Sequence, residues 1–251
     1  MTAHRFFLRG PLVAEGALAL GAEDLHHLRD VLRLGTGDEI VAVGAEGAAA
    51  RVRLTAVTAE GASGIVLEAV EAYRVPRVWL AQGLAKGEKM ELVVRMATEL
   101  GCERIVPLVT ARSVVRLEAS RASARVERWR RIAAGAAKQA QLTRVPEVAS
   151  LADVGSLTGA LVGAALVLVA WEDAASAPGI SAAIADAALP ADAPVAVVVG
   201  PEGGFSADEV GVLVAEGAQV VSLGDTVLRT ETAGVVAVAL ALAARGGLGG
   251  A

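Results

Sequence analysis

The stretch GPEGGFS at 200–206 is a glycine-rich loop with a carboxylate at its centre. It follows the apolar run APVAVVV, so it lies at the end of a predicted strand, where many proteins hold a phosphate. The phosphate-loop pattern GxxxxGK[ST] and the dinucleotide pattern GxGxxG are both absent, and no Lys or Arg stands between 200 and 216. Because Glu202 would repel phosphate, the loop predicts a ligand that is neutral or partly cationic.

A helix start explains part of this stretch. Ser206 and Glu209 have the spacing of a capping box, and Phe205 and Val210 have that of a hydrophobic staple. The box does not account for the residues before it, which permit positive φ and close backbone approach. They predict a ligand wall made by Gly200, Glu202, Gly203 and Gly204.

A second motif, LGDTVLRTETAG at 223–234, joins the last predicted strand to the last predicted helix. Its Arg229 is one of only two basic residues beyond position 150. Thr230 or Thr232 is a candidate cap for the helix, and Glu231 suits the positive end of its dipole. An isolated arginine in an acidic region usually meets a specific carboxylate or substrate, so Arg229 is predicted to be functional.

The elements that carry these motifs change character near Val75-Pro76. Before it, short strands and one helix at 22–34 predict a small β-barrel with a helix. After it, strands and helices alternate, which predicts an α/β fold with a parallel sheet and helices on its faces. We predict strands at 77–83, 104–109, 165–171, 194–200 and 219–224, and helices at 87–100, 120–141, 179–187, 206–216 and 231–244.

Composition narrows the class of protein. Hydrophobic residues make up 54% of the 251 residues, which is typical of a globular chain. The longest nearly apolar runs, at 159–171 and 232–244, are shorter than the roughly 20 residues of a membrane span, and no secretory signal is visible. Cys102 is the only cysteine, so the chain has no internal disulfide, which fits a cytoplasmic location. Cys102 is expected to be buried. His26 and His27 have no partner at metal-ligand spacing, so we expect no metal.

The net charge of −5 hides a strong asymmetry. Residues 75–150 hold 14 Lys and Arg against 7 Glu, a net +7, whereas residues 151–251 hold 2 Arg against 11 acids, a net −9. Such segregation indicates either a localised anionic partner or a solvated basic helix, and charge alone does not separate the two.

The two motifs, in this order, resemble the ribosomal RNA small subunit methyltransferase E family. The resemblance extends to KGEKMELVVRMATELGCERIVPL at 86–108, TARS at 110–113, RVPEV at 144–148, RFF at 5–7 and HHLRDVLRLGTGDEI at 26–40. The sequence departs from the family at Thr226, where an arginine is usual, and at 138–141, where Lys-Gln-Ala-Gln replaces a Glu-Gln-Ser-like stretch.

The resemblance implies a PUA-like β-barrel over 1–74 and a SPOUT domain over 75–251, with a C-terminal deep trefoil knot. It implies a homodimer that transfers a methyl group from S-adenosylmethionine to N3 of a uridine in 16S ribosomal RNA of the small ribosomal subunit. That donor has no phosphate, which agrees with the carboxylate-bearing loop. The donor site implied by the resemblance comprises Val169, Trp171, Gly200, Pro201, Glu202, Gly203, Gly204, Leu223, Gly224, Val227, Leu228, Thr230, Thr232 and Ala233.

The chemistry of uridine N3 suggests roles for three charged residues of the two motifs. N3 carries a proton, so negative charge develops on the uracil as the proton leaves. Arg229 is the candidate to stabilise that charge, and Glu231 or Glu202 is the candidate to accept the proton if its pKa is raised.

The basic middle segment is the candidate RNA surface. Arg121, Arg125 and Arg128 share one stripe of a predicted helix. The further candidates for phosphate contacts are Arg5, Arg9, Arg112 and Arg116. Two rival functions remain: a non-catalytic RNA-binding ribosome-assembly factor, and a nucleotide-dependent α/β enzyme, which the missing phosphate loop disfavours.

Overall fold

The computed structural model describes residues 4–71, 75–113, 119–174 and 176–248, with side chains omitted for 119–121. The described chain forms two compact units. One contains the described residues of Met1–Tyr73 and Ala137–Arg144, and the other contains those of Arg74–Ala136 and Val145–Ala251.

The first unit is built on a five-stranded sheet. Its strands are β1 (Arg5–Phe7), β2 (Glu15–Leu18), β3 (Glu39–Val43), β4 (Ala49–Val57) and β5 (Ala62–Val70). They lie in the order β1-β3-β4-β5-β2, with β1 parallel to β3 and the other pairs antiparallel. The predicted helix over 22–34 is divided into α1 (Ala22–His26) and a π-helical turn (His27–Val31). The fully buried Leu28 of this turn packs with Phe6, Ile40, Val52 and Leu54.

The closed barrel expected from the sequence is not formed by the described strands. β1 and β2 are the two edges of an open sheet, and no ladder joins them in the described residues. A backbone hydrogen bond from Arg9 N to Ala19 O, 2.8 Å long, links the chain just beyond their ends.

The second unit contains a wholly parallel sheet, as predicted. The seven strands are β6 (Val78–Gly83), β7 (Arg104–Val109), β8 (Glu147–Val148), β9 (Ala152–Asp153), β10 (Leu166–Ala170), β11 (Val195–Val199) and β12 (Gln219–Val221). Their order is β12-β10-β11-β6-β7-β8, and β9 also pairs with β7. The helices are α2 (Lys89–Glu99), α3 (Ala119–Gln139), α4 (Val154–Ala160), α5 (Ile180–Asp186), α6 (Ala207–Ala215) and α7 (Thr230–Ala244).

Helices cover both faces of this sheet, because alternate residues of its strands enter different cores. In β6, Val78 and Leu80 pack with α2, α3, α5 and α7, whereas Trp79 and Ala81 pack with α4 and α6. A central strand covered on both faces must be apolar throughout. This explains the buried run VAVVV of β11.

The start of α6 confirms the predicted capping box. Ser206 Oγ accepts a hydrogen bond from Glu209 N at 3.2 Å, and Glu209 Oε2 accepts one from Ser206 N at 2.9 Å. Phe205 and Val210 are buried in the adjoining core, as a hydrophobic staple requires. The helix α7 differs from expectation: Arg229, rather than Thr230 or Thr232, occupies its N-cap position, and no side chain caps it.

Cys102 should be chemically silent in the folded protein. Its Sγ lies 3.3 Å from Val78 O and 3.2 Å from Arg104 O, and burial raises the pKa of the thiol to about 12. Disulfide reagents attack the thiolate. We therefore expect Ellman's reagent at about pH 8 to label Cys102 only after denaturation in urea, and stopped-flow absorbance would measure this. Rapid labelling without denaturant would contradict the described packing.

Two kinds of feature are absent from the described residues. No helix there has the length and apolar composition to cross a lipid bilayer. No group of three or more His, Cys, Asp or Glu side chains in that part of the chain is arranged to hold a metal ion.

Candidate functional site

A cavity of about 390 Å³ lies at the carboxyl ends of β10, β11 and β12. Open parallel sheets bind ligands at this edge. Three loops and the first turns of α2 and α7 form its walls. The lining consists of Lys89, Ala170, Trp171, Glu172, Val199, Gly200, Pro201, Glu202, Gly204, Phe205, Ser222, Leu223, Gly224, Asp225, Thr226, Val227, Leu228, Arg229, Thr230 and Ala233.

Close backbone contacts hold the 200–204 loop in place. A Cβ on Gly83, at the end of β6, would lie 2.3 Å from Pro201 N, so the loop backbone rests directly on that strand. Gly204 has a φ of +64°, and a Cβ there would lie 2.5 Å from Glu172 Oε1. These positions require glycine for two different reasons: close approach at Gly83, and left-handed backbone at Gly204.

One cation joins two carboxylates beside the cavity. Lys89 Nζ lies 3.2 Å from Glu202 Oε1 and 3.3 Å from Glu231 Oε2. Hydrogen bonding to Glu202 and Glu231 raises the pKa of Lys89 above its ordinary value. The ammonium therefore stays charged and holds the loop after β11 against the starts of α2 and α7.

Glu202 is held as an ionised carboxylate. Burial acts to raise its pKa, but hydrogen bonds from Lys86 N, its own backbone N–H and Lys89 Nζ outweigh burial, and the pKa lies below its usual range. The bond from Lys86 N to Glu202 Oε1 is 3.0 Å long. A general base was expected to need a raised pKa, and Glu202 does not meet that condition.

Arg229 places an unpaired positive charge at the cavity wall, as far as the described residues show. Its side chain is exposed and lines the cavity, and no hydrogen bond or ion pair joins its guanidinium to another described residue. Val227, two residues earlier, is 85% exposed on the same wall. The segment before α7 thus offers an apolar and a cationic side chain to whatever occupies the cavity.

Comparison with known proteins assigns this chain to a family. An RNA methyltransferase domain family matches residues 73–242. The ribosomal RNA small subunit methyltransferase E of Bacillus subtilis is 34% identical over 218 residues, which cover 86% of this chain and 85% of that protein. The chain belongs to the ribosomal RNA small subunit methyltransferase E family.

Two further members of the methyltransferase E family support the assignment. The Mycobacterium tuberculosis protein of this name is 32% identical over 231 residues, covering 88% of this chain and 85% of that one. The crystal structure of the Neisseria gonorrhoeae protein bound to S-adenosyl methionine superposes with a TM-score of 0.78 at 26% identity. It covers 94% of this chain and 95% of that chain. The resemblance predicted from the two C-terminal motifs is confirmed.

Most residues predicted for the donor site of a methyltransferase E line one cavity. Among the predicted residues that the cavity lining lacks, Val169 is fully buried in β10. Gly203 contacts Arg112, and the backbone N–H of Thr232 donates to Arg229 O. The candidate base Glu231 reaches Lys89 instead of the lining. Lys89 was missed, although its place directly after the KGE turn that follows β6 put a cation at the ligand-binding edge of the sheet.

Three of the arginines predicted to contact RNA are engaged within the protein. Arg5 Nη1 donates to Leu142 O at 2.9 Å, and Arg128 Nε lies 2.9 Å from Glu91 Oε1. Arg112 Nη1 donates to Gly203 O at 3.0 Å, so it contacts the cavity loop.

The other arginines of the predicted RNA surface differ in their surroundings. Arg125 is exposed on α3, opposite the buried Val126 and Trp129. The guanidinium of Arg9 lies beside Gly21. Arg116 and the side chain of Arg121 lie outside the described residues.

Proposed function

We propose that this protein transfers the methyl group of S-adenosylmethionine to N3 of a uridine in 16S ribosomal RNA, with the donor in the cavity at the ends of β10, β11 and β12. The protein is a ribosomal RNA methyltransferase that uses S-adenosylmethionine, as its family membership establishes. The observation that carries the proposed location is the convergence of the GPEGG loop, the LGDTVLRT segment and Trp171 on one cavity.

The lining fits this donor better than it fits a nucleotide. Glu172, Glu202 and Asp225 outnumber Lys89 and Arg229, so the cavity favours a ligand with sulfonium and ammonium charges over a polyphosphate. Trp171 Nε1 is buried and has no hydrogen-bond partner in the described residues. A buried N–H without a partner is costly, and ribose or carboxylate oxygens of the donor are suitable acceptors.

The chain's own residues prepare the uridine. S-adenosylmethionine supplies an electrophilic methyl group. Arg229 stabilises the negative charge that spreads onto the uracil oxygens as the N3 proton leaves. Glu231 is the proposed proton acceptor: its Oε2 is buried and lies 3.3 Å from the Lys89 ammonium, which holds the carboxylate beside the cavity. Glu202 orders its loop through Lys86 and Lys89 instead.

The finer architecture is part of the same proposal. We propose that residues 1–74 form a PUA-like RNA-binding domain and that residues 75–251 form a SPOUT domain with a C-terminal trefoil knot. The knot is supported by the LGDTVLRT segment, which lines the same cavity as the loops after β10 and β11 before α7 begins. We also propose a homodimer that acts in the cytoplasm, where its ribosomal substrate is found.

The decisive experiment is methyl transfer from labelled S-adenosylmethionine to small ribosomal subunits that lack the modification, followed by nucleoside mass spectrometry. A 3-methyluridine product would support the proposed methyl donor, the proposed reaction and the proposed target nucleobase together. A methylated nucleoside of another kind would refute the N3 assignment. Donor binding without transfer to subunits or to free 16S RNA would favour a non-catalytic assembly factor.

A further prediction concerns Arg112. Replacing it with Ala removes the hydrogen bond to Gly203 O, so the affinity for S-adenosylmethionine, measured calorimetrically without RNA, should fall about three- to tenfold. Arg131→Ala, which removes an exposed arginine from α3, is the matched control. An unchanged donor affinity in Arg112→Ala would show that the contact with Gly203 does not support donor binding.

A further inference from the structure

A chain of buried polar groups runs beneath the cavity. Gln82, near the end of β6, is fully buried, and its Nε2 lies 2.9 Å from Thr230 Oγ1 and 3.2 Å from Gly83 O. Thr230 Oγ1 in turn lies 2.5 Å from Gly200 O. Buried polar side chains are rare in such an apolar sheet, and each one needs a structural or functional reason.

The direction of these hydrogen bonds is fixed by the atoms themselves. Gly200 O can only accept, so the single proton of the Thr230 hydroxyl is used there. Thr230 Oγ1 must then accept from Gln82, which requires the amide nitrogen on that side. This orientation turns Gln82 Oε1 towards Gly234, where a Cβ would lie only 2.1 Å away, and leaves Oε1 without a hydrogen-bond partner in the described residues.

The unsatisfied oxygen shows that the network does not simply maximise hydrogen bonding. An apolar side chain at position 82 would avoid the cost of burying that oxygen. What Gln82 adds is a donor to Thr230, which begins α7, and through Thr230 a fixed direction for the Gly200 carbonyl. Two of the cavity's walls, the GPEGG loop and the segment that enters α7, are joined at this point.

We propose that Gln82 is a positioning residue of the methyl-donor site: it does not line the cavity, and it acts by aligning Thr230 and Gly200. The inference rests on the proposed location of S-adenosylmethionine. It explains why a glycine is present at 234, since any side chain there would collide with the Gln82 amide.

The test is S-adenosylmethionine affinity, measured calorimetrically across pH for the wild type and for Gln82→Glu. A protonated carboxylic acid can donate to Thr230, whereas a carboxylate can only compete with Gly200 O as an acceptor. Burial raises the pKa of a carboxyl group, and Gly83, Thr230 and Gly234, which lie beside this side chain, do not titrate. We expect the affinity of Gln82→Glu, relative to the wild type at each pH, to fall about tenfold or more from about pH 5.5 to about pH 8.5.

Three further variants separate positioning from stability. Gln82→Met and Thr230→Val conserve the shape of the side chain, and each removes one hydrogen-bond donor. Both should therefore weaken the binding of S-adenosylmethionine about tenfold. Thr98→Val, the control, removes a buried hydroxyl that donates to Val94 O within α2, at 2.7 Å, and should leave donor affinity unchanged. Near-UV circular dichroism would verify that each variant is folded.

The outcomes are distinct. A relative affinity of Gln82→Glu that does not change with pH would overturn the inference. So would folded Gln82→Met and Thr230→Val proteins that bind the donor as the wild type does. If the wild type itself fails to bind S-adenosylmethionine, the proposed donor site falls and the inference falls with it.

Discussion

Replacing Arg229 with Ala is expected to lower kcat for methyl transfer about 10²- to 10³-fold, with little change in the dissociation constant of S-adenosylmethionine. Arg229 lines the cavity, and its guanidinium has no partner among the described residues, so its charge is available to the substrate. Because charge develops on the uracil only as the N3 proton leaves, the loss should appear in kcat. Single-turnover transfer to small subunits, together with calorimetric donor binding, would measure both quantities.

Two variants sharpen this prediction. Arg229→Lys keeps the charge and loses the planar guanidinium, so its rate should lie between those of the wild type and Arg229→Ala. Arg95→Ala removes an exposed arginine from α2, outside the cavity lining, and should retain the wild-type rate. If Arg229→Ala retained wild-type kcat and donor affinity, Arg229 would have no electrostatic role in the reaction.

Gly83→Ala is expected to disrupt the donor site from beneath. The added Cβ would lie 2.3 Å from Pro201 N and 2.5 Å from Gly200 C, and both are backbone atoms that cannot rotate away. Either β6 or the GPEGG loop must shift, and overpacking of this kind costs about 1–3 kcal/mol of unfolding free energy. The affinity for the methyl donor should fall about tenfold or more, because the displaced loop forms a wall of the cavity.

The matched control adds the same methyl group where there is room. Gly211 lies within α6, and no heavy atom is recorded within 4 Å of a Cβ built there. Gly211→Ala should leave donor affinity unchanged and stabilise the fold by about 0.5–1 kcal/mol. Urea unfolding and calorimetry on both variants would measure the contrast. Wild-type donor affinity in Gly83→Ala would show that the loop does not depend on this contact.

The sequence predicted the elements whose signals are local. The alternation of strands and helices after residue 75 and the capping box at Ser206 depend on residues close together in the chain, and the structure contains them. The strands β2, β8 and β9 have two to four residues each, too few to show a periodicity, and the sequence did not predict them.

The interactions that were missed join residues distant in sequence. The site of Lys89 is set by Glu202, 113 residues later, and no periodicity reports that pairing. Arg112 was assigned to RNA from charge alone, but its partner Gly203 is supplied by the fold. The ionisation of Glu202 likewise depends on the backbone N–H of Lys86, which a sequence cannot place beside it.

The hydrogen bond between Gln82 and Thr230 joins residues 148 positions apart, and this separation bears on when the protein becomes competent during synthesis. Contacts between distant segments form late, because the chain between them must first be made and its loop entropy overcome. The strand β6 can pair with β7 early in synthesis, but its pairing with β11 requires a later segment of the chain. The last wall of the cavity forms only after α7 has been made. A nascent chain therefore lacks the wall of this cavity that α7 and the segment before it form until those residues have left the ribosome.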